Sequence, residues 1–466
     1  MTKEAGIPLY EELENGFTKI LSAPGSSRKE SGDLRRARQS AFENFRELGF
    51  PTIKNEDWKY TNIARFLKDE YTIGESDIAI DGRLEPAKDG LSAGAGRTFP
   101  DLALSELLDR ATIKSLDCYQ VVLVNGTWKG EVKGGPLPAG IHLLTVAEAS
   151  LDPALSGYFE RTAQWNGQHF ATLNAALFAD GLFIRVDAGA VVDKPLHILH
   201  VFTAESNLMV QPRHVWVINR NAELSVIESV LSSNGDAKIW VNTLTEIIVH
   251  PDAKLDHTVI QAAGAGVRLI QHTTVWQKKQ SLYNNFTFTL PGADLVRNDL
   301  QAKLEEEHTE SHLYGLYLAA GQQLVDNHTL VDHQKPFCLS NELYKGVLLE
   351  QSTGVFNGKV YVHKDAQKTN AFQQNNNLVI SKKATIDSKP QLEIFADDVK
   401  CSHGTTVGQF SEEALFYLRA RGIGEEMAKG LLINAFAFDV TEKIKIPAVE
   451  THINELISHH IPIANA

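Results

Sequence analysis

A thiol and an imidazole stand two positions apart near the carboxyl end of this sequence. Cys401 and His403 lie in the stretch FADDVKCSHGTTVGQF, and Cys401 is one of three cysteines in 466 residues. In an extended segment, residues i and i+2 project from the same face, about 6–7 Å apart along the backbone. Both groups are ligands for soft or borderline metal ions, and such a pair can also act as nucleophile and base. Because a free cysteine often packs as a small apolar side chain, the pair alone leaves these interpretations open.

Motifs for binding nucleotide, zinc or DNA are either absent from this sequence or disfavoured by their surroundings. GxxxxGK[ST] does not occur, so we expect no nucleotide to bind to this chain through a P-loop. His308 and His312 would lie about 13 Å apart on a strand, too far for one zinc ion. The hairpin Gly422–Gly424 resembles a motif that binds DNA phosphate, but the carboxylates of Glu425 and Glu426 follow in the next helical turn. A DNA-associated protein that uses this hairpin is therefore an alternative that the charges disfavour.

Composition and charge exclude several classes of protein. The chain has 45 basic and 58 acidic side chains, a formal net charge of −13, which argues against a nucleic-acid binder. No apolar stretch approaches the roughly 18 residues that a membrane span needs, and residues 1–16 lack the apolar region of a signal peptide. Cys118, Cys338 and Cys401 are widely separated and form no disulfide framework. The sequence predicts a cytoplasmic protein that binds neither nucleic acid nor membrane.

The hydrophobic pattern changes along the chain from helical to β-rich. Residues 31–48 carry apolar side chains at three- and four-residue spacing, which predicts a helix. From about Gly181, short β-rich runs alternate with polar turns, as in stacked coils or a sandwich. Asn-Ala-Glu-Leu at 221–224 and Asp-Ala-Lys-Leu at 252–255 each precede such a run, and this spaced repeat favours coils. The amide-rich run Gln373–Asn377 fits either an amide ladder at a corner of the coils or a solvated loop.

Three further helices are predicted after Phe410. Ser411 caps the first, which runs from Glu412 to about Arg421. The second runs from Glu425 to Phe438, and the third opens at Pro447 and continues to about His459. The first two helices carry an apolar face that forms either core or a docking surface for a partner. Its members are Leu415, Leu418, Met427, Leu431, Leu432, Ala435 and Phe436.

Four segments of the sequence match a known family in combination. They are GFPTIKNEDWKYTNI at 49–63, NELYKGVLLEQSTGVFNGKV at 341–360, FADDVKCSHGTTVG at 395–408 and ALFYLRARGIGEEMAKGLLINAF at 414–436. Together they resemble the SufB/SufD family of iron–sulfur cluster assembly proteins, and the resemblance covers most of the chain beyond residue 40. The Trp-Lys-Tyr-Thr segment, and the lack of a cysteine cluster near the start, favour the SufD branch. A SufB-like subunit is the alternative within the family.

The resemblance implies an α+β protein with a right-handed parallel β-helix core flanked by helical amino- and carboxy-terminal domains. We expect a mostly helical region over 1–165, the β-helix over 166–408 and a helical domain over 409–466. The resemblance also implies a non-catalytic scaffold subunit, which pairs with SufB through the β-helices while its terminal helical domain binds the ATPase SufC. Whether the chain forms a homodimer when it is alone stays open. The candidate residues for docking SufC are Leu415, Leu418, Met427, Leu431 and Phe436.

In this family the Cys-x-His of the SufD branch is placed at the interface with SufB, which assigns Cys401 and His403 to that interface. An iron–sulfur cluster generally needs four protein ligands, and this chain offers at most two at the site. We therefore expect a transient cluster or iron at an interface shared with SufB, with His403 as a ligand and Cys401 as a ligand or sulfur relay. Outside the family, the alternative is a β-solenoid hydrolase that uses Cys401 as nucleophile and His403 as base.

Overall fold

Helices lie towards both ends of the chain, and strands fill the middle. The computed structural model describes residues 8–22, 31–74, 101–159, 167–233 and 235–461. No helix in these ranges is long and apolar enough to cross a membrane. Short 3-10 helices span Glu56–Trp58, Phe66–Lys68 and Ser156–Tyr158. The α-helices are α1 (Pro8–Ser22), α2 (Gly32–Leu48), α3 (Asp101–Ala111), α4 (Val146–Leu151), α5 (His169–Leu177), α6 (Glu412–Ala420), α7 (Glu425–Thr441) and α8 (Pro447–His460).

The strands form two sheets, and for most of its length the chain visits them in alternation. Within the described ranges, the twelve-stranded sheet contains β1 (Thr72–Ile73), β4 (Ile141–Thr145), β5 (Leu182–Val186), β7 (Leu208–Val210), β8 (Arg213–Ile218), β10 (Ile239–Val249), β12 (Val267–Gln277), β14 (Leu295–Leu304), β16 (Leu324–His333), β18 (Thr353–Val362), β20 (Thr385–Ser388) and β21 (Gln391–Ile394). The ten-stranded sheet contains β2 (Tyr119–Val124), β3 (Thr127–Lys133), β6 (Leu196–Phe202), β9 (Glu223–Ser232), β11 (Lys254–Gln261), β13 (Leu282–Thr289), β15 (Glu310–Ala319), β17 (Leu339–Leu348), β19 (Asn370–Val379) and β22 (Lys400–Gly408).

Stacked coils of a parallel β-helix produce this alternation. From β8 to β18, each strand pairs in parallel with the strand two further along the chain, as β10 does with β12 and β11 with β13. The repeat that was predicted from sequence is confirmed as one coil, so the architecture is α+β with a parallel β-helix core. One corner of successive coils is marked by residues with positive φ, which lie 28 to 31 positions apart: Asn221, Asp252, Gln280, His308, Phe337 and Lys368.

Neighbouring coils are in register, so that inward side chains form columns inside the β-helix. In the ten-stranded sheet, Gly315 lies opposite Tyr344, and Tyr317 lies opposite Gly346. A Cβ atom at Gly315 would lie 2.3 Å from the ring of Tyr344, and one at Gly346 would lie 2.4 Å from the ring of Tyr317. Each glycine therefore makes room for a buried tyrosine of the adjacent coil.

The amino-terminal helices pack against the outer face of the twelve-stranded sheet. Ser31 caps α2 with its side chain, and the helix predicted over residues 31–48 is confirmed. Trp58 belongs to the same buried apolar cluster as residues of α1, α2 and α5 and as Trp240 of β10. Its ring centroid also lies 3.8 Å from the guanidinium carbon of the buried Arg297. The segment after α2 is thus attached to the β-helix by apolar packing and a cation–π contact.

The carboxy-terminal helices pack against the outer face of the ten-stranded sheet. Ile433 of α7 and Ile453 of α8 lie in one buried cluster with Phe286 of β13. Lys345, which is 3% exposed, donates from Nζ to the carbonyl oxygen of Phe436 at 2.8 Å. The three helices predicted after Phe410 are confirmed, with ends within three residues of the prediction. In contrast to α7 and α8, α6 buries none of its side chains.

The structure corrects two features predicted for the β-rich region. The predicted strands are too short: β17, for example, is a continuous strand of ten residues from Leu339 to Leu348. The strands also include polar residues outside the apolar runs, so a prediction from apolar runs alone underestimates strand length. The run Gln373–Asn377 is neither a corner nor a loop, because it forms the middle of β19 with its alternate side chains buried. Tertiary stacking gives these amides a buried position that composition assigned to solvent.

Candidate functional site

The ten-stranded sheet ends at β22, the strand that carries Cys401 and His403. One edge of β22 pairs in parallel with β19, from Lys400 to Gly408. No strand in the described part of the chain pairs with its other edge. Most side chains of β22 are exposed because no further coil of the described chain covers them. We call this edge and its inward side chains the open end of the β-helix.

Cys401 and His403 both project from the inward face of β22. Their register partners on β19 are Ala371 and Gln373, and both partners are buried. Thr405 continues the same face, and its hydroxyl hydrogen bonds at 2.9 Å to that of Ser388, in the other sheet. The thiol and the imidazole therefore lie side by side at the mouth of the β-helix interior.

Cys401 has apolar surroundings. It is partly buried and packs against a small cluster formed by Val360, Val362, Ala366, Ala371 and Ala396. Burial raises the pKa of the Cys401 thiol, and a hydrogen bond with the Ala371 backbone opposes this only in part. The group is therefore mostly a protonated thiol at neutral pH and has to lose its proton before it binds a metal or acts as a nucleophile.

His403 has polar, accessible surroundings. Its side chain is exposed at the open end, on the same face of β22 as that of Cys401. No hydrogen bond joins the imidazole to Cys401 among the described contacts, whereas a nucleophile and its base are expected within hydrogen-bond reach. The imidazole is thus placed to meet a metal or another protein.

Few potential metal ligands lie together at the open end. In the described ranges, no group of three or more histidine, cysteine, aspartate or glutamate side chains is arranged to hold a metal ion. His403 and Cys401 contribute two donor atoms, one nitrogen and one sulfur. An iron–sulfur cluster with four protein ligands would need two donor atoms in addition to these.

A second candidate surface lies on α6 and α7. Of the predicted docking residues, Leu431 is 46% exposed, whereas Leu415, Leu418, Met427 and Phe436 are partly buried. The ring of Phe436 lies below the Lys345 ammonium, 4.3 Å from its centroid, so this side chain packs towards the β-helix. The structure adds three exposed aromatic residues that the sequence pattern did not single out, at Phe416, Tyr417 and Phe438, with exposures of 73%, 56% and 52%.

Two family models match the chain, one over its amino-terminal part and one over its remaining length to residue 436. Residues 200–436 match the SUF system FeS cluster assembly SufBD core domain. Residues 25–87 and 106–198 match the SufBD protein N-terminal region. The chain belongs to the SufBD family. It is an iron–sulfur cluster assembly protein of that family, and both matches agree with the resemblance carried by its sequence motifs.

Relatives of this SufBD protein align with it over nearly their whole length. A SufBD family protein of Synechocystis sp. is 30% identical over 458 residues, covering 96% of this chain and 95% of the relative. The iron–sulfur cluster assembly protein SufD of Escherichia coli is 27% identical over 462 residues, covering 98% and 99%. SufD of Bacillus subtilis is 24% identical over 461 residues, covering 95% and 97%.

Two buried residues of this SufBD protein lie behind His403 and were not predicted from the sequence as site residues. Gln373 is the register partner of His403, and Glu342 is the register partner of Gln373. Burial raises the pKa of Glu342 to about 7, although hydrogen bonds from Thr329 and Gln373 oppose the rise. A coil period of about 30 residues would have pointed to them, because positions 342, 373 and 403 are 31 and 30 residues apart.

Proposed function

We propose that this chain is the SufD-type scaffold subunit of an iron–sulfur cluster assembly complex, without catalytic activity of its own. It pairs with a SufB-type chain and with the ATPase SufC in the cytoplasm. The observation that carries the proposal is the open end of the β-helix, where Cys401 and His403 lie beside an unpaired strand edge. Similarity to SufD of Escherichia coli along both chains supports the SufD branch. A SufB-type subunit of the same system is the alternative.

The free edge of β22 supports pairing with a second β-helix. An unpaired strand edge presents backbone N–H and C=O groups that another strand can satisfy. The exposed apolar side chains of Val407 on this strand and of Phe395 just before it, both 57% exposed, would be covered by the same partner. We assign this surface to the SufB-type chain. A second copy of this chain occupies it when SufB is absent.

The nascent cluster, or the iron for it, is the cargo of the shared interface. His403 is the ligand from this chain, because its imidazole is accessible and an imidazole nitrogen is a common ligand for iron. Cys401 acts as a second ligand or as a sulfur relay, and its buried thiol first transfers its proton to a base at the interface. Thiolates of the SufB-type chain complete the coordination.

The exposed apolar face of α6 and α7 supports docking of the ATPase. Phe416, Tyr417, Leu431 and Phe438 are large apolar side chains that a folded chain seldom leaves exposed together on adjacent helices. The partly buried residues Leu415, Leu418 and Met427 would form the base of this contact. SufC then supplies the P-loop that this sequence lacks.

Co-expression tests the partnership and the site together. The tagged chain is co-purified with SufB and SufC, and iron and sulfide are measured after anaerobic reconstitution of wild type, His403→Ala, Cys401→Ala and Thr405→Ala. We expect an intact complex that loses most of its cluster in His403→Ala and keeps it in Thr405→Ala, the control from the same face of the same strand. An intact His403→Ala complex with wild-type iron and sulfide would contradict the ligand role. If the chain assembled with SufC and SufD instead, the SufB-type alternative would be correct.

A matched pair of substitutions tests the docking surface. Phe416→Asp places a charge in the exposed face of α6, and we expect it to weaken SufC binding at least tenfold in calorimetric titration. Phe337→Asp is the control, because Phe337 is 51% exposed on a corner of the β-helix and belongs to neither helix. Equal SufC affinity in the two variants would place the ATPase elsewhere.

A further inference from the structure

A column of three polar side chains connects the interior of the β-helix with the open end. Glu342 on β17, Gln373 on β19 and His403 on β22 are successive register partners and face inward. Paired strands lie about 4.8 Å apart, so each side chain is within reach of the next. Glu342 is 2% exposed and Gln373 is 3% exposed, whereas His403 is exposed. The column thus leads from a buried carboxyl group to an accessible imidazole.

Hydrogen bonds fix the buried half of this column. Thr329, from the opposite sheet, donates its hydroxyl proton to one oxygen of Glu342. Gln373 donates from Nε2 to the other oxygen at 2.7 Å. Gly358 leaves room for the amide, because a Cβ atom at that position would lie 2.5 Å from Nε2 of Gln373. The amide nitrogen is therefore held towards the inner coil.

The other end of the same amide has no partner. Oε1 of Gln373 is buried and accepts no hydrogen bond from the described residues. A buried carbonyl oxygen without a donor destabilises the folded state, so such atoms are usually satisfied. Because Nε2 is bonded to Glu342, Oε1 is the atom free for the next member of the column. That member is His403, whose ring N–H is a suitable donor.

We propose that Glu342 and Gln373 are positioning residues, which orient the His403 imidazole and fix its tautomer. Gln373 Oε1 accepts the N–H of one ring nitrogen, and the second ring nitrogen is left unprotonated and directed to the open end. Metal-binding histidines commonly hold their second nitrogen in this way. The inference rests on the proposed function only in naming iron as what the second nitrogen binds.

Glu342 keeps the amide of Gln373 in this orientation in both of its protonation states. We call the hydrogen bonds that run from Glu342 through Gln373 to His403 the relay. Burial raises the pKa of Glu342 to about 7, so both states are populated at neutral pH. A carboxylate and a carboxylic acid can each accept the amide proton of Gln373, so Oε1 stays turned towards β22 in both. A leucine at position 342 would remove this acceptor and free the amide to rotate.

The tautomer of His403 can be measured in the full chain without a cluster. Histidine labelled with ¹⁵N gives the protonation of each ring nitrogen in long-range proton–nitrogen spectra, and the His403 signals are those lost in His403→Ala. We expect one dominant tautomer in wild type. Gln373→Met and Glu342→Leu should change the tautomer ratio by roughly two- to tenfold, the range of a neutral hydrogen bond.

Two matched variants separate the relay from general damage to the strand. Glu342→Gln keeps an acceptor for Gln373 and should retain the wild-type tautomer ratio. Gln374→Met makes the same chemical change as Gln373→Met at the adjacent, exposed position on the outward face, and should also retain it. If Gln373→Met does not fold, the comparison of Glu342→Leu with Glu342→Gln decides. An unchanged His403 spectrum in the folded Gln373→Met or Glu342→Leu variant would overturn the proposal.

A second measurement distinguishes failure of the relay from failure of the proposed function. In the reconstituted complex, Gln373→Met should weaken iron retention roughly 10- to 100-fold, as loss of an orienting partner does at other metal sites. If the tautomer responds but His403→Ala keeps its cluster, the relay is correct and the ligand role is wrong. If His403→Ala loses the cluster but the tautomer does not respond, the ligand role is correct and the relay is wrong.

Discussion

Replacing Glu342 with glutamine should stabilise the chain at pH 8 and leave its stability near pH 4.5 almost unchanged. Burial raises the pKa of Glu342 to about 7, against an ordinary value of 4.5 in the unfolded chain. The folded protein thus keeps a proton that the unfolded chain has already lost between these two pH values. Because the folded state binds more protons there, the contribution of Glu342 to the free energy of unfolding falls as pH rises from 4.5 to 7 and is level above pH 7.

The size of this effect follows from the difference between the two pKa values. A difference of one pH unit corresponds to about 1.36 kcal/mol, so about 2.5 units correspond to about 3 kcal/mol at pH 8. In Glu342→Gln the amide has no proton to lose in this range. Its oxygen can accept from Gln373, and its nitrogen can donate to the hydroxyl of Thr329, so the buried hydrogen bonds are kept.

Urea unfolding at pH 4.5 and pH 8, followed by circular dichroism and tryptophan fluorescence, measures the effect. Every other titrating group is common to wild type and variant, so the change in their stability difference between the two pH values isolates Glu342. Glu307→Gln is the control, because Glu307 is exposed at a corner of the coils. Parallel behaviour of Glu342→Gln and wild type at both pH values would refute a buried carboxyl group with a raised pKa.

Two further substitutions test the packing on and inside the β-helix. Arg297→Met should lower the free energy of unfolding by about 3–5 kcal/mol, because Asp299 and the fully buried Asp326 lose their common guanidinium partner. An unchanged thermal midpoint would contradict this. Arg297→Lys, which keeps a positive charge, should lower the free energy of unfolding by less. Gly315→Ala should lower the free energy of unfolding by about 1–3 kcal/mol, since the added methyl would collide with the ring of Tyr344. Urea unfolding measures this change. The control is Gly404→Ala, because a Cβ atom at Gly404 meets nothing within 4 Å.

Local features of the sequence were sufficient to predict the helices and the turns between successive coils. Apolar spacing located α2, and the Ser411 cap located α6, because these signals act within a few residues. The turns before Leu224 and Leu255 likewise carry a local signal, since Asn221 and Asp252 adopt the positive φ that asparagine and aspartate tolerate. Family motifs added the β-helix and the iron–sulfur chemistry, which no local pattern contains.

Strand length and the burial of amides could not be derived in the same way. Polar side chains such as those of Gln373 and Asn375 look solvated in sequence, because their partners are contributed by coils about 30 residues away. The same limit applies to the surface of α6 and α7. Its helical periodicity was visible, but which of its apolar residues pack on the β-helix and which stay exposed depends on how α7 lies against β15 and β17.

The sequence by itself determined that Cys401 and His403 share one face of an extended segment, because side chains alternate along any strand. It also predicts that this pair would need further ligands to hold an iron–sulfur cluster. Only the tertiary structure decided that this face points into the β-helix, that no described coil covers it, and that Glu342 and Gln373 stand behind His403. The physical reason is that stacking in register brings together residues one coil apart, and their contacts depend on the length of every turn between them.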